Sequence, residues 1–199
     1  MALVKHNNNS ISSITTPGQI AQGKMTLISS QTASGSASIS FTSGIDSTYP
    51  IYKFEFINIH PATDNVNFQV NFRDGGSLYD AVKTTTIFRT YNAESDAEAG
   101  LDFENREDLA QSTSSQVLGR NIGSDADQST SGSLTLFNPS STTYVKHFIA
   151  NSDMSNYNNY QLIHYVAGYC NTTTAIDGVQ FSMSSGNFDG TIKLYGIGD

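Results

Sequence analysis

Side chains that could perform acid–base chemistry are concentrated in one segment of the chain. Seven carboxylates and a single arginine, Arg106, lie in this segment, and the carboxylates are Glu94, Asp96, Glu98, Asp102, Glu104, Glu107 and Asp108. Glycoside hydrolysis needs two carboxylates about 5 to 10 Å apart, and such pairs are too common for the sequence to exclude that chemistry. A dense acidic run is also typical of a solvated surface segment. We favour the second interpretation.

Residues for the other common catalytic and metal chemistries are scattered. The histidines show no metal-ligand spacing such as H-E-x-x-H, and the chain has no Gly-x-Ser-x-Gly elbow; the histidines are His6, His60, His147 and His164. Cys170 is the only cysteine, so one chain can form neither a disulfide nor a thiolate metal site. Asp125-Ala126-Asp127 lacks the ligand series of a calcium loop. The sequence therefore predicts no enzyme activity, no catalytic residues, no bound metal and no cofactor.

Charge and hydropathy narrow the range of partners. The 199 residues have a formal net charge of −8 and contain only ten lysines and arginines, with no basic cluster. Because binding to nucleic acid depends on clustered positive charge, we predict no nucleic-acid partner. No apolar run reaches the roughly 18 residues of a membrane-spanning helix, and the first residues do not resemble a signal peptide. We therefore expect no membrane partner and synthesis in the cytoplasm.

The pattern of hydrophobic residues predicts an all-β protein. Small polar residues and 16 glycines are abundant, and only 14% of the residues are charged. The clearest strand covers residues 65–73, where Val66, Phe68, Val70 and Phe72 alternate with polar residues. About ten such strands suit an antiparallel β-sandwich of the jelly-roll type. The predicted strands are 24–29, 36–42, 50–60, 65–73, 84–91, 133–138, 143–150, 161–170, 178–183 and 191–197.

Two segments interrupt this pattern. Residues 1–20 are polar and contain Pro17-Gly18, which predicts an extended N-terminal arm, and residues 21–199 then form a single sandwich domain. Residues 93–132 form a long acidic and loop excursion inserted in that domain, with helical composition over 93–110 and a loop over 111–132. Pro61-Ala62-Thr63-Asp64 is a turn sequence that predicts a hairpin between strands 50–60 and 65–73.

Two groups of residues are candidates for contact with other subunits. The first is a tyrosine-rich stretch, which could be core, subunit contact or, as a less favoured alternative, a stacking surface for a ligand. Its members are Tyr157, Tyr160, Tyr165 and Tyr169. The second is the set of apolar residues of the arm, which could lie as a strap along a neighbouring subunit. These are Met1, Leu3, Val4, Ile11 and Ile14.

Several longer motifs resemble a known family. Tyr52–Asp64 is followed by Val66–Phe72 and by Asp74-Gly75-Gly76-Ser77-Leu78-Tyr79. This succession is similar to a "Y-K…I-x-P-A-T-D…F…D-G-G-S-x-Y" run in small virion proteins of tailed bacteriophages. Gly132–Pro139 resembles the "G-x-I-x-L-Y-N-P" element of that family, and Phe181–Gly196 resembles its C-terminal "F-x-S-G-N…G-T-I-x-L-Y-G" strand. The resemblance covers roughly residues 26–197 and rests on strand and turn residues.

The resemblance implies a structural protein of a phage particle, made in the host cytoplasm and located on the outer surface of the virion. The expected role is a capsid decoration or cement protein that stabilises the assembled shell through non-covalent contacts. The expected partners are the major capsid protein or other virion proteins, and further copies of the chain in a homo-oligomer, with a trimer favoured. A tail- or fibre-associated module that recognises a receptor or glycan is the alternative, and a depolymerising enzyme is the least favoured reading.

Overall fold

The computed structural model describes residues 25–198, and these residues form twelve β-strands and no helix. The strands are β1 (Met25–Ser36), β2 (Ser38–Phe41), β3 (Ile51–Pro61), β4 (Val66–Arg73), β5 (Lys83–Ala93), β6 (Ala99–Phe103), β7 (Gln116–Ile122), β8 (Thr130–Phe137), β9 (Lys146–Ser155), β10 (Tyr160–Cys170), β11 (Gly178–Met183) and β12 (Phe188–Ile197). A helix able to cross a bilayer is therefore not found in this part of the chain. The predicted arm, including Met1, Leu3, Val4, Ile11 and Ile14, lies outside the described residues.

The strands form two antiparallel sheets. The large sheet has the order β1-β12-β3-β8-β9-β10-β5-β6, and the small sheet has the order β2-β11-β4-β7. Buried residues from both sheets belong to one hydrophobic core. The all-β prediction is confirmed, and the two sheets are consistent with the predicted β-sandwich.

Aromatic rings fill the centre of the core. Phe181 of β11 lies in the small sheet, and its ring centre is 5.5 Å from that of Phe54 in the large sheet. The same ring stacks on Phe68 of the neighbouring strand β4 at 5.8 Å. Phe41 and Phe56 complete the group. Phe181 therefore joins the two sheets through rings from four strands.

The strand predicted at residues 65–73 is present as β4, with Val66, Phe68, Val70 and Phe72 all buried. The hairpin predicted between this strand and the preceding one is wrong. β3 pairs with β12 and β8 in the large sheet, whereas β4 pairs with β11 and β7 in the small sheet. The apolar faces of β3 and β4 pack against each other across the core, and so the turn after Pro61 carries the chain from one sheet to the other.

A bulge interrupts the alternation of side chains near the end of β3. The pairing of β3 with β8 shifts between Phe56 and Ile59, and Asn58 has a φ of 51°. Ile57 is consequently exposed, while Ile59 is fully buried. A bulge places an extra residue in one strand and so changes which residues face the core.

The segment predicted as an inserted excursion, residues 93–132, instead supplies strands to both sheets. β6 pairs with β5 at the edge of the large sheet, and β7 pairs with β4 at the edge of the small one. The predicted helix over 93–110 is therefore wrong, and the predicted loop over 111–132 is wrong for β7 and for the start of β8. In β6 the side chains alternate between the two faces of the sheet, which is the period of a strand.

Candidate functional site

An apolar surface covers the outer face of the part of the large sheet formed by β5, β6, β9 and β10. Its exposed members are Phe88, Leu101, Phe103, Ile149 and Tyr165. Successive residues of a strand point to opposite faces of the sheet, and the neighbours of these residues along each strand point toward the core. We call these five side chains the outer patch.

The register of the strands brings the members of the outer patch together. Tyr165 of β10 lies opposite Phe88 of β5, which in turn lies opposite Phe103 of β6. The rings of Phe88 and Tyr165 stack with their centres 4.9 Å apart and their planes 16° apart. Tyr165, Phe88 and Phe103 thus form one row across β10, β5 and β6 on the solvent side, and Ile149 of β9 lies beside this row, opposite Ala167.

Two adjoining depressions run across the same face. Their volumes are about 480 and 190 Å³, and both are lined by Thr86, Ile149 and Ala167. Ala167 lies between Thr86 and Ile149 in the strand register. Because the side chain of Ala167 is small, the surface is lower there than at the larger side chains on either side. A protruding side chain of a partner could therefore enter the depressions.

The outer face of these four strands is nearly free of charge. Among their outward-facing residues only Asp153 carries a formal charge at neutral pH, because the others are Thr, Asn, Ser, Gln, Ala, His and the apolar side chains. The chain as a whole carries −8. Covering this face would therefore desolvate almost no ionised group, which is the composition expected at the centre of a protein interface.

The structure separates the four predicted tyrosines. Tyr165 and Tyr169 lie on the outer face of β10, where Tyr169 contacts His147 with ring centres 5.9 Å apart. Tyr157 precedes β10 in a turn and is partly exposed. Tyr160 points to the opposite face of the sheet. Phe88, Leu101, Phe103 and Ile149 were not among the predicted contact residues, although the alternation of residues 84–92, 99–103 and 146–153 contained the signal.

A second candidate site is a polar pocket on the inner face of the large sheet. β7, the edge strand of the small sheet, lies nearest to β9 and β10 of the large sheet. β5 and β6 therefore lie beyond the edge of the small sheet. The pocket has a volume of about 290 Å³. Its lining residues are Arg89, Tyr91, Glu98, Asp102, Asn156, Asn158, Tyr160 and Leu162.

Next to the polar pocket lies a network of charged side chains around one buried carboxylate, Glu104. Glu104 binds Arg120 at 2.6 Å and lies 2.9 Å from Nε of Arg89, although that N–H is poorly aligned for a hydrogen bond. The predicted solvated character of the acidic segment is therefore wrong for Glu104, which is buried. Asp102 and Glu107 also pair with these arginines.

His164 lies in this interior with no exposed surface, and neither ring nitrogen makes a well-formed hydrogen bond to the described residues. Burial lowers the pKa of His164 to about 4, and the positive charges of Arg89 and Arg120 act in the same direction. His164 is therefore a neutral core side chain at physiological pH.

A further buried polar group lies at the other end of the same strands. Cys170 of β10 is paired with Lys83 of β5 and Lys146 of β9. Lys83 donates hydrogen bonds to Asn71 Oδ1 at 2.6 Å and to the Ala81 carbonyl at 2.7 Å. Burial lowers the pKa of Lys83 to about 8 and raises the pKa of Cys170 to about 12. These side chains are satisfied by the fold and face no opening.

Within residues 25–198 no group of three or more histidine, cysteine, aspartate or glutamate side chains is arranged to hold a metal ion. Comparison with known proteins found no family model and no curated protein that matches this chain.

Proposed function

We propose that this chain is a structural protein of a tailed-phage virion, a jelly-roll sandwich that decorates and stabilises the outside of the assembled capsid. The proposal combines three supports: the motifs that resemble phage virion proteins, the order of strand pairing, and the uncharged outer patch. The outer patch is the observation that carries it, because a surface of this kind is suited to permanent contact with protein.

The jelly-roll assignment is supported by the way in which the two halves of the chain pair. β1 pairs with β12, β2 with β11, β3 with β8 and β4 with β7, all antiparallel. Such an antiparallel ribbon, wrapped into two sheets, is the jelly-roll arrangement common in viral capsid domains. β5–β6 and β9–β10 are additional hairpins, and they come together to widen the large sheet. The outer patch lies on this added part.

We assign the outer patch to contact with a second copy of the same chain. Two copies of a protein with a net charge of −8 repel each other across most of their surface. The outer face of β5, β6, β9 and β10 adds little to that repulsion, since only Asp153 is charged there. A homo-oligomer, with a trimer favoured, would bury the exposed rings at little electrostatic cost.

Stabilisation of the capsid follows from mass action. A protein that binds only the assembled lattice stabilises it by an amount set by its free concentration relative to its dissociation constant. Several copies held together would be retained more strongly than one, because the second contact is then intramolecular. The arm residues Met1, Leu3, Val4, Ile11 and Ile14 remain proposed strap contacts to a neighbour.

Sedimentation equilibrium of a matched pair of variants tests the contact. Leu101 lies in the outer patch with 68% of its surface exposed, and Leu78 lies outside it with 65% exposed. We expect Leu101→Glu to shift the protein toward monomer, because it places a charge in the contact, and Leu78→Glu to leave the oligomer intact. A wild-type monomer, or equal effects of the two changes, would overturn the assignment to a second copy.

The capsid role is tested separately, by mixing the protein with particles assembled without it and measuring bound protein after dilution. We expect retention by the wild type and reduced retention for a chain that lacks residues 1–14. Failure of the wild-type protein to bind particles would refute the decoration role, whatever its oligomeric state.

A further inference from the structure

We infer that the polar pocket between β5, β6 and β10 binds a neutral saccharide. The pocket faces away from the outer patch, and the inference does not depend on the structural role proposed above. A saccharide presents apolar C–H faces and a rim of hydroxyl groups. A matching site needs an aromatic wall and a set of hydrogen-bonding groups around it.

Tyr160 supplies the aromatic wall, and Tyr91, whose ring lies under the Arg89 guanidinium with 5.3 Å between the guanidinium carbon and the ring centre, packs beside it. The rings of Tyr91 and Tyr160 have their centres 6.2 Å apart and their planes inclined at 59°. Leu162, which is buried, lines the pocket next to them. Tyr91 lies opposite Gly100 of β6, and a Cβ atom on that glycine would lie 2.7 Å from the Tyr91 hydroxyl oxygen. Glycine at this position is therefore what allows the ring of Tyr91 to lie close to β6.

The rim of the pocket contains both donors and acceptors. Tyr160 donates its hydroxyl proton to Glu98 Oε2 at 2.9 Å and keeps its oxygen available as an acceptor. The side-chain amide of Asn158 and the hydroxyl of Tyr91 make no hydrogen bond to other described residues. The ion pair from Arg89 Nη2 to Asp102 Oδ2 is long, at 3.3 Å. A ligand hydroxyl group could bind to each of these groups without breaking a short internal bond.

The charge of the pocket selects among saccharides. The two negative charges of Glu98 and Asp102 exceed the single positive charge of Arg89, and Arg89 also pairs with Glu104. An acidic sugar would place its carboxylate beside these two carboxylates and be repelled. A volume of about 290 Å³ lies just below the range for pockets of drug-sized ligands, so a single small unit would fit. The ligand expected is thus a neutral sugar unit, either free or at the end of a glycan.

Protein-observed NMR titration of the full chain tests the inference. The probes are D-glucose, D-galactose, D-mannose and N-acetyl-D-glucosamine, with sodium D-glucuronate as the acidic comparator. We expect at least one neutral sugar to shift the amide signals of residues 89–91, 98–102 and 158–162, and glucuronate to bind more weakly. Absence of shifts with all four neutral sugars, or equal binding of glucuronate, would overturn the inference.

Two tyrosines of the same hairpin provide the matched variants. Tyr160→Ala removes a wall of the pocket and should weaken binding about tenfold, the size expected for loss of one stacked ring and its hydrogen bond. Tyr157→Ala changes a partly exposed tyrosine outside the pocket and should leave the affinity unchanged. Glu98→Gln changes an exposed side chain. It provides a second test that remains valid if the chain cannot fold without Tyr160. Unchanged affinity in both Tyr160→Ala and Glu98→Gln would locate any binding elsewhere.

Discussion

Arg120 of β7 and Glu104, just after β6, form an ion pair with 2.6 Å between Nη1 and Oε2. The pair joins the edge strand of the small sheet to the segment that follows the edge strand of the large sheet. Arg89 of β5 approaches the other oxygen of Glu104 at 2.9 Å. Glu104 therefore holds β5, β7 and the segment after β6 together.

The Glu104→Gln variant should lose about 2 to 3 kcal/mol of unfolding free energy, because two arginines would lose their buried counter-ion. Glutamine has nearly the same shape, so the loss reports charge and not packing. Urea denaturation measures it. Glu94→Gln, on an exposed residue of the same acidic segment, is the control and should change the free energy little. Equal effects of the two changes would contradict a structural role for Glu104.

The stability of the fold should decrease in mild acid because of His164. Its pKa is about 4 in the folded chain, below the ordinary value of 6.5. Between these values the unfolded chain binds more protons, and the unfolding free energy falls by up to about 1.4 kcal/mol for each pH unit. Above pH 6.5 His164 is neutral in both the folded and the unfolded chain, and the full unfolding free energy is retained. The charged groups that face this interior are Arg89, Arg120 and Glu104.

Denaturant unfolding of His164→Gln at neutral pH and at about pH 5 checks this linkage. The difference in unfolding free energy between the two conditions should be smaller in this variant than in the wild type, whatever its stability at neutral pH. His147→Gln, on the exposed face of β9, should retain the wild-type difference. A wild-type difference in the His164 variant would show that another group titrates.

The Cys170 thiol should react slowly in the folded protein. It is fully buried, and burial raises its pKa to about 12 from 9.0. Since the thiolate is the reactive form, the raised pKa keeps its fraction very low at mildly alkaline pH, in addition to the loss of access. Labelling with a disulfide reagent should therefore require denaturant. Complete labelling in native buffer, at the rate of a free thiol, would show that the strand ends around Cys170 open readily.

The sequence predicts strands well wherever one face is consistently apolar. β11 was predicted with its observed bounds and β4 to within one residue, because alternation determines both the type of element and its buried face. β6 was missed because its outward Leu101 and Phe103 flank an acidic residue within a run of carboxylates that suggested a surface segment. β7 was missed because Ser, Gln and Gly surround its short apolar run.

Which strands pair, and which residues come together in a site, depends on contacts between distant parts of the chain. A single sequence does not contain that information. β3 pairs with β8, more than 70 residues away, so a turn sequence after β3 suggested the wrong partner. Tyr165 was a candidate on composition alone. Its stacking partner Phe88 became evident only when β5 was aligned with β10. The polar pocket likewise combines residues from β5, β6 and the turn before β10, whose closeness no local pattern predicts.

Phe181 should be the most sensitive position of the core. Its ring contacts aromatic rings of β2, β3 and β4, so its removal opens a cavity between the two sheets. We expect Phe181→Ala to lower the unfolding free energy by about 3 to 5 kcal/mol. Phe103→Ala, on a ring with 65% of its surface exposed, should cost less than about 0.5 kcal/mol in the monomer. Urea unfolding of both variants at a protein concentration where the wild type is monomeric gives the comparison. A small loss for Phe181→Ala would mean that the sheets are not held together through this ring.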